Sequence, residues 1–468
     1  MTRVVVIGAG ISGLATAYAL EQLSVAHELE LDVVVLERRE RTGGKILSLK
    51  EEGYLCEWGP NGFLDSKPST LELCDSLAVR ERLLRSNDNA RKRFIYADGN
   101  LHRLPENGPA FLKSGLISWP GKMRLAMEPF IPKRTDGVDE TLADFARRRL
   151  GAEALDKLIG PMVSGIFAGD PETMSLKSCF ARIYELEQEY GGLIKAMIKL
   201  ARKKRAEQKA GKAVASAAGP GGVLTSFGGG IQELTDAVAA GLQGEVKVAA
   251  GVQEIRQVEG GYRLSLEDGS MLEAELVVSA APAHALAGML HTLSPETSAL
   301  LREIPYAPMN VICFGYQRDK IAHDLMGFGY LNAKREKRPT LGTLWDSSIF
   351  PQRAPEGHVM LRSMMGGATN VGAISWSDAE VQQKVQGDLE KIMGITAIPD
   401  FVRIYRHERA IPQYIVGHAR RVVSVEESLA GYPGMFITGN AFAGVGINDC
   451  TLAAQRTAEK VISFLAKR

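Results

Sequence analysis

Six residues near the amino end, Gly8-Ala9-Gly10-Ile11-Ser12-Gly13, have the spacing of a phosphate-cradling turn. A strand pattern at 3–7, apolar from Val4 to Ile7, precedes them, and an Ala- and Leu-rich helical pattern at 14–23 follows. In such a strand–turn–helix the first glycine permits the sharp turn. The second lets the backbone approach a pyrophosphate, and the third lets helix pack on strand. The helix start then presents unpaired N–H groups and the positive end of its dipole to phosphate. A second apolar run at 31–36 ends at Glu37. Its carboxylate can accept hydrogen bonds from both ribose hydroxyls and repels a 2′-phosphate. The combination points to FAD or NAD rather than NADP.

Two further segments separate FAD from NAD. After Glu37 comes Arg38-Arg39-Glu40-Arg41-Thr42-Gly43-Gly44-Lys45. Arg41 can reach a pyrophosphate, and the paired glycines let the backbone pass close to a ribityl chain. Gly59-Pro60-Asn61-Gly62 then lies at a spacing that could meet an isoalloxazine ring. This pattern resembles the second FAD signature of the amine oxidase superfamily. Near the other end, Gly444-Val445-Gly446-Ile447-Asn448-Asp449-Cys450 opens a helix expected over 449–465, with Asn448 or Asp449 as its N-cap. A helix start aimed at the flavin would stabilise the negative charge of its reduced form. Cys450 has no thiol partner in sequence and reads as a structural cysteine.

Over nearly its whole length the chain resembles the protoporphyrinogen/coproporphyrinogen oxidases of haem biosynthesis. The carriers are the segments above together with Gly62-Phe63, Ser164-Gly165-Ile166-Phe167-Ala168-Gly169-Asp170, Ile411-Pro412-Gln413-Tyr414 and Gly417-His418. The long first strand–helix–strand unit is similar to the soluble enzymes of Gram-positive bacteria that act on coproporphyrinogen III. One departure is Gly62, where many relatives carry Ser. The resemblance implies FAD-dependent, six-electron dehydrogenation of a porphyrinogen, with dioxygen as acceptor and hydrogen peroxide as product. It implies Asn61 and Gly165 in the reacting space, and Arg93 against a substrate propionate. Lys67, just past the flavin-proximal loop, is a further candidate cation for the substrate carboxylates. Cofactor contacts follow at Gly8, Ala9, Gly10, Ile11, Ser12, Gly13, Glu37, Arg38, Arg41, Gly44, Lys45, Gly59, Pro60, Asn61, Gly62, Val252, Val445, Gly446 and Ile447. No metal is implied. Protoporphyrinogen IX oxidation is the alternative activity, with flavin amine oxidation or a non-catalytic flavoprotein behind it.

The expected fold class is α/β: a Rossmann-type FAD domain of the amine oxidase superfamily, with an α+β substrate domain and a helical insertion. The FAD domain takes residues 1–70, 220–294 and 411–468. The helical domain takes 90–205, and the substrate domain takes 71–89 with 295–410. A β-meander is expected over 246–276, from its period-two alternation. Helical periodicity recurs at 142–150, 152–159, 183–188, 193–201 and 378–393.

The 468 residues carry 56 basic and 55 acidic side chains, a balance that offers nothing to nucleic acid. Five cysteines without CxxC spacing fit a reducing, cytoplasmic setting rather than a disulfide or zinc framework. No run is apolar enough to span a bilayer. The basic stretch 199–212 and the Ala/Gly-rich 213–222 read as a solvated loop or, alternatively, as a peripheral membrane contact. The implied partners are a porphyrinogen and dioxygen, with contact to other haem-pathway enzymes left open.

Overall fold

The computed structural model describes residues 1–209 and 222–467. The basic stretch beyond residue 209, and the Ala/Gly-rich segment as far as residue 221, lie outside the described residues.

Both chain ends build one parallel sheet. Its strands are β1 (Thr2–Ile7), β2 (Leu31–Leu36), β3 (Glu245–Lys247), β4 (Leu276–Ser279) and β5 (Met435–Ile437), in the order β3-β2-β1-β4-β5. The Val-rich runs Val4–Val6 and Val33–Val35 are buried on both faces, as a sheet covered from two sides requires. Helix α1 (Ile11–Ala26) packs against helix α2 (Ile447–Leu465) on one face. On the other face lies a three-stranded meander, Val252–Val258, Gly261–Leu266 and Met271–Ala274. The meander is shorter than its alternation suggests. Val246 pairs in parallel with Val35, so residues 245–247 extend the Rossmann-type sheet instead. Period-two alternation cannot tell which sheet a strand joins.

A seven-stranded sheet forms the second layer. Its order is Phe401–Pro412, Tyr306–Gln317, His358–Gly366, Thr340–Leu344, Gly329–Asn332, Arg93–Ala97, Asn100–Arg103. The last two strands fall where the sequence places the helical insertion. Arg93–Ala97 pairs in parallel with Gly329–Asn332, a distant partner that local periodicity cannot reveal. Residues 71–89, grouped by sequence with the substrate unit, lie instead beside the cofactor unit. Helix Pro68–Ser76 packs on α2, and strand Leu83–Arg85 pairs with Leu224–Phe227. Helices then dominate from Gly108 to Lys209, around a core of Phe145, Val163, Phe167 and Leu176. Helix Asp378–Met393 has the bounds its periodicity predicts, with Ser377 and Glu380 forming a capping box.

Candidate active site

The carboxyl ends of β1, β4 and β5 run into Gly8, Ala280 and Gly439, so three loops meet at one edge of the sheet. Ligands bind at that edge in open parallel sheets. Gly13 is forced by packing: a Cβ there would stand 1.8 Å from the Gly8 carbonyl oxygen. Gly44 has φ +61°, and a Cβ on it would lie 3.1 Å from Gly10 Cα. Glu37 is buried beside them. Its Oε2 accepts from the Ala9 N–H at 2.8 Å and its Oε1 from the Arg39 N–H at 2.9 Å. The backbone amide of Ala250 donates to the Glu37 carbonyl at 2.8 Å, which brings Val252's strand to this corner.

The residues fit a dinucleotide-sized polar cofactor. Beyond the glycine cradle, the hydroxyls of Ser279 and Thr438, at the ends of β4 and β5, are buried without partners within the protein. So are Asn61 Oδ1 and Asn448 Oδ1. Buried polar atoms are rarely left unpaired, and here four surround the edge where a polar ligand belongs.

The basic loop after Glu37 divides. Arg41 donates to the carbonyls of Thr42 at 2.8 Å and Gly44 at 2.8 Å. Arg39 donates to Gly44 O at 2.9 Å. The guanidinium groups of Arg39 and Arg41 lie over the Trp58 ring, at 5.7 and 5.4 Å respectively. His407 lies against the same indole, 4.9 Å between ring centroids. Lys45 is held by the Ala410 carbonyl and sits 5.3 Å from the Tyr306 ring. Burial, then Arg39, bring its ammonium down to about 8. Arg38 turns outward to Glu267 at 3.1 Å, so its side chain does not join the cradle.

Asn61 is held from behind. Its Nδ2 donates to Asp346 Oδ1 at 3.1 Å. Arg362 Nε lies 2.8 Å from Asp346 Oδ2, and Arg362 NH1 donates to the carbonyls of Glu57 and Gly59, each at 3.0 Å. A second buried pair, Glu57–Arg353 at 2.8 Å, adjoins it. Asp346 and Arg362 hold the loop from Glu57 to Asn61 in place, and nothing in their sequence neighbourhoods announces it. Tyr414 does a similar service for the loop after β5. Its hydroxyl accepts from the Gly444 N–H at 2.9 Å and donates to the Asn440 carbonyl at 2.5 Å. The Ile-Pro-Gln-Tyr segment was the available signal, without a role attached.

The substrate-side candidates gather on strand Gly329–Asn332. Arg93 opens the neighbouring strand opposite Gly329, its guanidinium 5.3 Å from the Phe328 ring. Its side chain is exposed, desolvation at the strand edge still lowers its pKa, and no carboxylate pairs with it among the described residues. The next side chain, Phe94, packs on Trp345 at 5.3 Å, one residue before Asp346. Gly165 lies against Leu331, where a Cβ would come within 2.8 Å of Leu331 Cδ1. It falls in the last turn of helix Gly160–Phe167, whose final carbonyls lack an i+4 amide. Lys67 is placed otherwise: its Nζ donates to Asp449 Oδ1 at 2.6 Å. The expected N-cap of α2 also moves. Gly446 occupies it, with Asn448 and Asp449 in the first turn and Asp449 Oδ2 accepting from Gly446 N–H at 3.3 Å. Burial raises the Cys450 thiol to about 11, which suits a packing residue and not a thiolate. No cluster of potential metal ligands exists among the described residues.

A Rossmann-type glycine cradle with a buried acid at its second strand, joined to a seven-stranded sheet, is the architecture of a flavin oxidoreductase, and the chain belongs to the flavin containing amine oxidoreductase family, whose pattern it matches over residues 11–462. It is 33% identical to protoporphyrinogen oxidase 1, chloroplastic, of Arabidopsis thaliana, over 100% of this chain and 89% of that one. It is 32% identical to the coproporphyrinogen III oxidase of Bacillus subtilis (strain 168), over 99% of this chain and 98% of the relative. A crystal structure of an Exiguobacterium sp. 255-15 protein superimposes with a TM-score of 0.83 at 28% identity, covering 99% of each chain.

Proposed function

We propose that this protein oxidises coproporphyrinogen III to coproporphyrin III, with FAD as cofactor and dioxygen as terminal acceptor. The observation that carries the reading is Arg93. A guanidinium exposed at the edge of the seven-stranded sheet, beside the Phe328 ring and with no carboxylate partner among the described residues, is poised for a carboxylate, and a porphyrinogen is an apolar ring edged with propionates. FAD, when bound, accepts hydride from a meso carbon and passes electron pairs to dioxygen, giving hydrogen peroxide. The chain's residues orient and enclose. Arg93 anchors a propionate, with Arg91 and Lys92 beside it in sequence. The Gly165 carbonyl and the Asn61 amide offer polar atoms to the pyrrole N–H groups, whose proton loss restores conjugation. Identity to the two kinds of relative is even, at 33% and 32%, and what favours coproporphyrinogen III is the cationic run Arg91-Lys92-Arg93, more positive charge than the two propionates of protoporphyrinogen IX call for.

Side-by-side turnover on the two porphyrinogens tests this, with higher kcat/KM expected for coproporphyrinogen III. A faster reaction on protoporphyrinogen IX would overturn the assignment. Peroxide release from simple amines, with neither porphyrinogen consumed, would overturn the whole reading.

The helical layer also suits a membrane surface. Trp119, Met123 and Met127 repeat at four-residue spacing and are exposed, ending at Phe130, which is 84% exposed. Phe130's turn abuts helix Leu193–Lys209, where exposed Met197 and Ile198 alternate with Lys195 and Lys199. Apolar side chains ringed by cations bind anionic bilayers. No helix of the described residues is long and apolar enough to cross one. Salt-sensitive co-sedimentation with anionic but not zwitterionic vesicles is expected; equal binding to both would refute the electrostatic part.

A further inference from the structure

The first turn of α2 carries an apparent contradiction. A helix start attracts anions, and the reduced flavin is anionic, yet the chain puts its own carboxylate there. Asp449 Oδ2 accepts from the Gly446 N–H, so this carboxylate occupies the positive helix end. Left alone it would oppose any second negative charge nearby. It is not left alone: Lys67 Nζ donates to the other carboxylate oxygen at 2.6 Å.

The surroundings hold that pairing in register. Lys67 is the N-cap position of helix Pro68–Ser76, and Pro68 fixes the turn that follows. Ser69 Oγ donates to the Asn448 carbonyl at 2.8 Å, and Thr451 Oγ1 donates to Ser69 Oγ at 3.1 Å. Asn448 Nδ2 donates to the Leu64 carbonyl at 2.9 Å. The start of α2 is thus stitched to the segment that leads from the Asn61 loop into helix Pro68–Ser76. Asn448 Oδ1 is buried there without a partner within the protein.

We propose that Lys67 is a positioning and charge-compensating residue: by pairing with Asp449 it cancels the carboxylate at the start of α2 and so favours reduction of the flavin. This rests on the reading that FAD lies with its ring system between the Asn61 loop and the start of α2. The role differs from a substrate cation, since the ammonium is engaged by Asp449.

The test is the flavin midpoint potential of the holoenzyme, measured against reference dyes at low ionic strength. Lys67→Met uncovers the carboxylate and moves the potential to more negative values. Asp449→Asn leaves the ammonium unopposed and moves it to more positive values. The double variant returns close to the parent. Each single change is expected to alter the reduced-to-oxidised ratio at fixed potential by about threefold to tenfold, tenfold being about 30 mV for a two-electron couple. The shifts shrink as salt is raised, because the pair is partly exposed. Lys67→Arg keeps the charge and the parental potential, which guards against an Asp449 variant that folds poorly. Shifts of the same sign in both single variants, or no shift in either with FAD fully bound, would overturn the proposal. A parent protein that binds no FAD when supplied with it would instead overturn the cofactor reading beneath it.

Discussion

Arg362→Met is expected to be among the costliest single changes in the molecule. Arg362 and Asp346 are almost wholly inaccessible to solvent, with their charged atoms 2.8 Å apart. Taking one partner from a buried pair leaves an uncompensated charge, at about 3–5 kcal/mol. The same guanidinium feeds the carbonyls of Glu57 and Gly59, and each orphaned acceptor adds about 1 kcal/mol. Asp346 keeps the Asn61 amide at 3.1 Å as a hydrogen bond, with Arg353, already paired to Glu57, as the remaining buried cation nearby. Together these contributions put the loss at about 5–7 kcal/mol. Removing both charges in Arg362→Met/Asp346→Leu eliminates the buried charge and should recover at least half of it, since apolar replacement of a buried pair is often close to neutral. Urea unfolding followed by tryptophan fluorescence gives the free energies. Flavin absorbance on the same samples reports whether the loop carrying Gly59 and Asn61 still retains its cofactor. A single variant within about 1 kcal/mol of the parent, or a double variant no better than the single, would show that this pair does not clamp the loop.

Other outcomes follow from the same contacts. Glu37→Ala should weaken FAD more than Glu37→Gln, by about 1 kcal/mol, because Gln keeps an acceptor without the charge; equal affinities by equilibrium titration would remove Glu37 from the ribose site. Arg93→Ala should raise KM roughly tenfold with a smaller fall in kcat, since a remote propionate contact is alike in ground and transition states; an unchanged KM would refute the anchor. His418 is buried against Tyr414, their rings stacked at 4.1 Å, and burial lowers its pKa to about 4. The unfolded chain takes up this proton near about pH 6.5 and the folded chain only near 4, so stability falls as pH drops through that window, by about 2 kcal/mol between pH 7 and 5. His418→Leu should flatten that dependence in urea unfolding; an unchanged slope would assign it elsewhere.

The glycine turn, Glu37, the paired glycines and the helix at 378–393 are legible in sequence because their causes lie within a few residues. Gly13 is forced by the carbonyl of Gly8 only five positions away. Asp346 and Arg362 are not legible in this way. Asn61 and Asp346 meet across 285 positions, and no local pattern distinguishes this carboxylate from a surface one. Lys67 shows the same limit from the other side, since a lysine beside a candidate site reads as free until Asp449 is found against it. Strand Arg93–Ala97 has the residues of a strand, but its parallel partner lies at Gly329–Asn332, so it joins the substrate sheet and not the helices that follow it.

The proposed cofactor cradle draws β1 and β2 from residues 2–36, and β5 and α2 from residues 435–465, some four hundred positions later. Helix α1 cannot find its packing partner while α2 is still inside the ribosome. The nascent chain must therefore hold Gly8–Gly13 and Glu37 exposed, without a finished phosphate site, through most of translation. Cofactor loading then has to wait for residues 435–465 to emerge. A chain interrupted anywhere before residue 447 lacks one wall of the cradle and emerges colourless, however well its substrate sheet has folded.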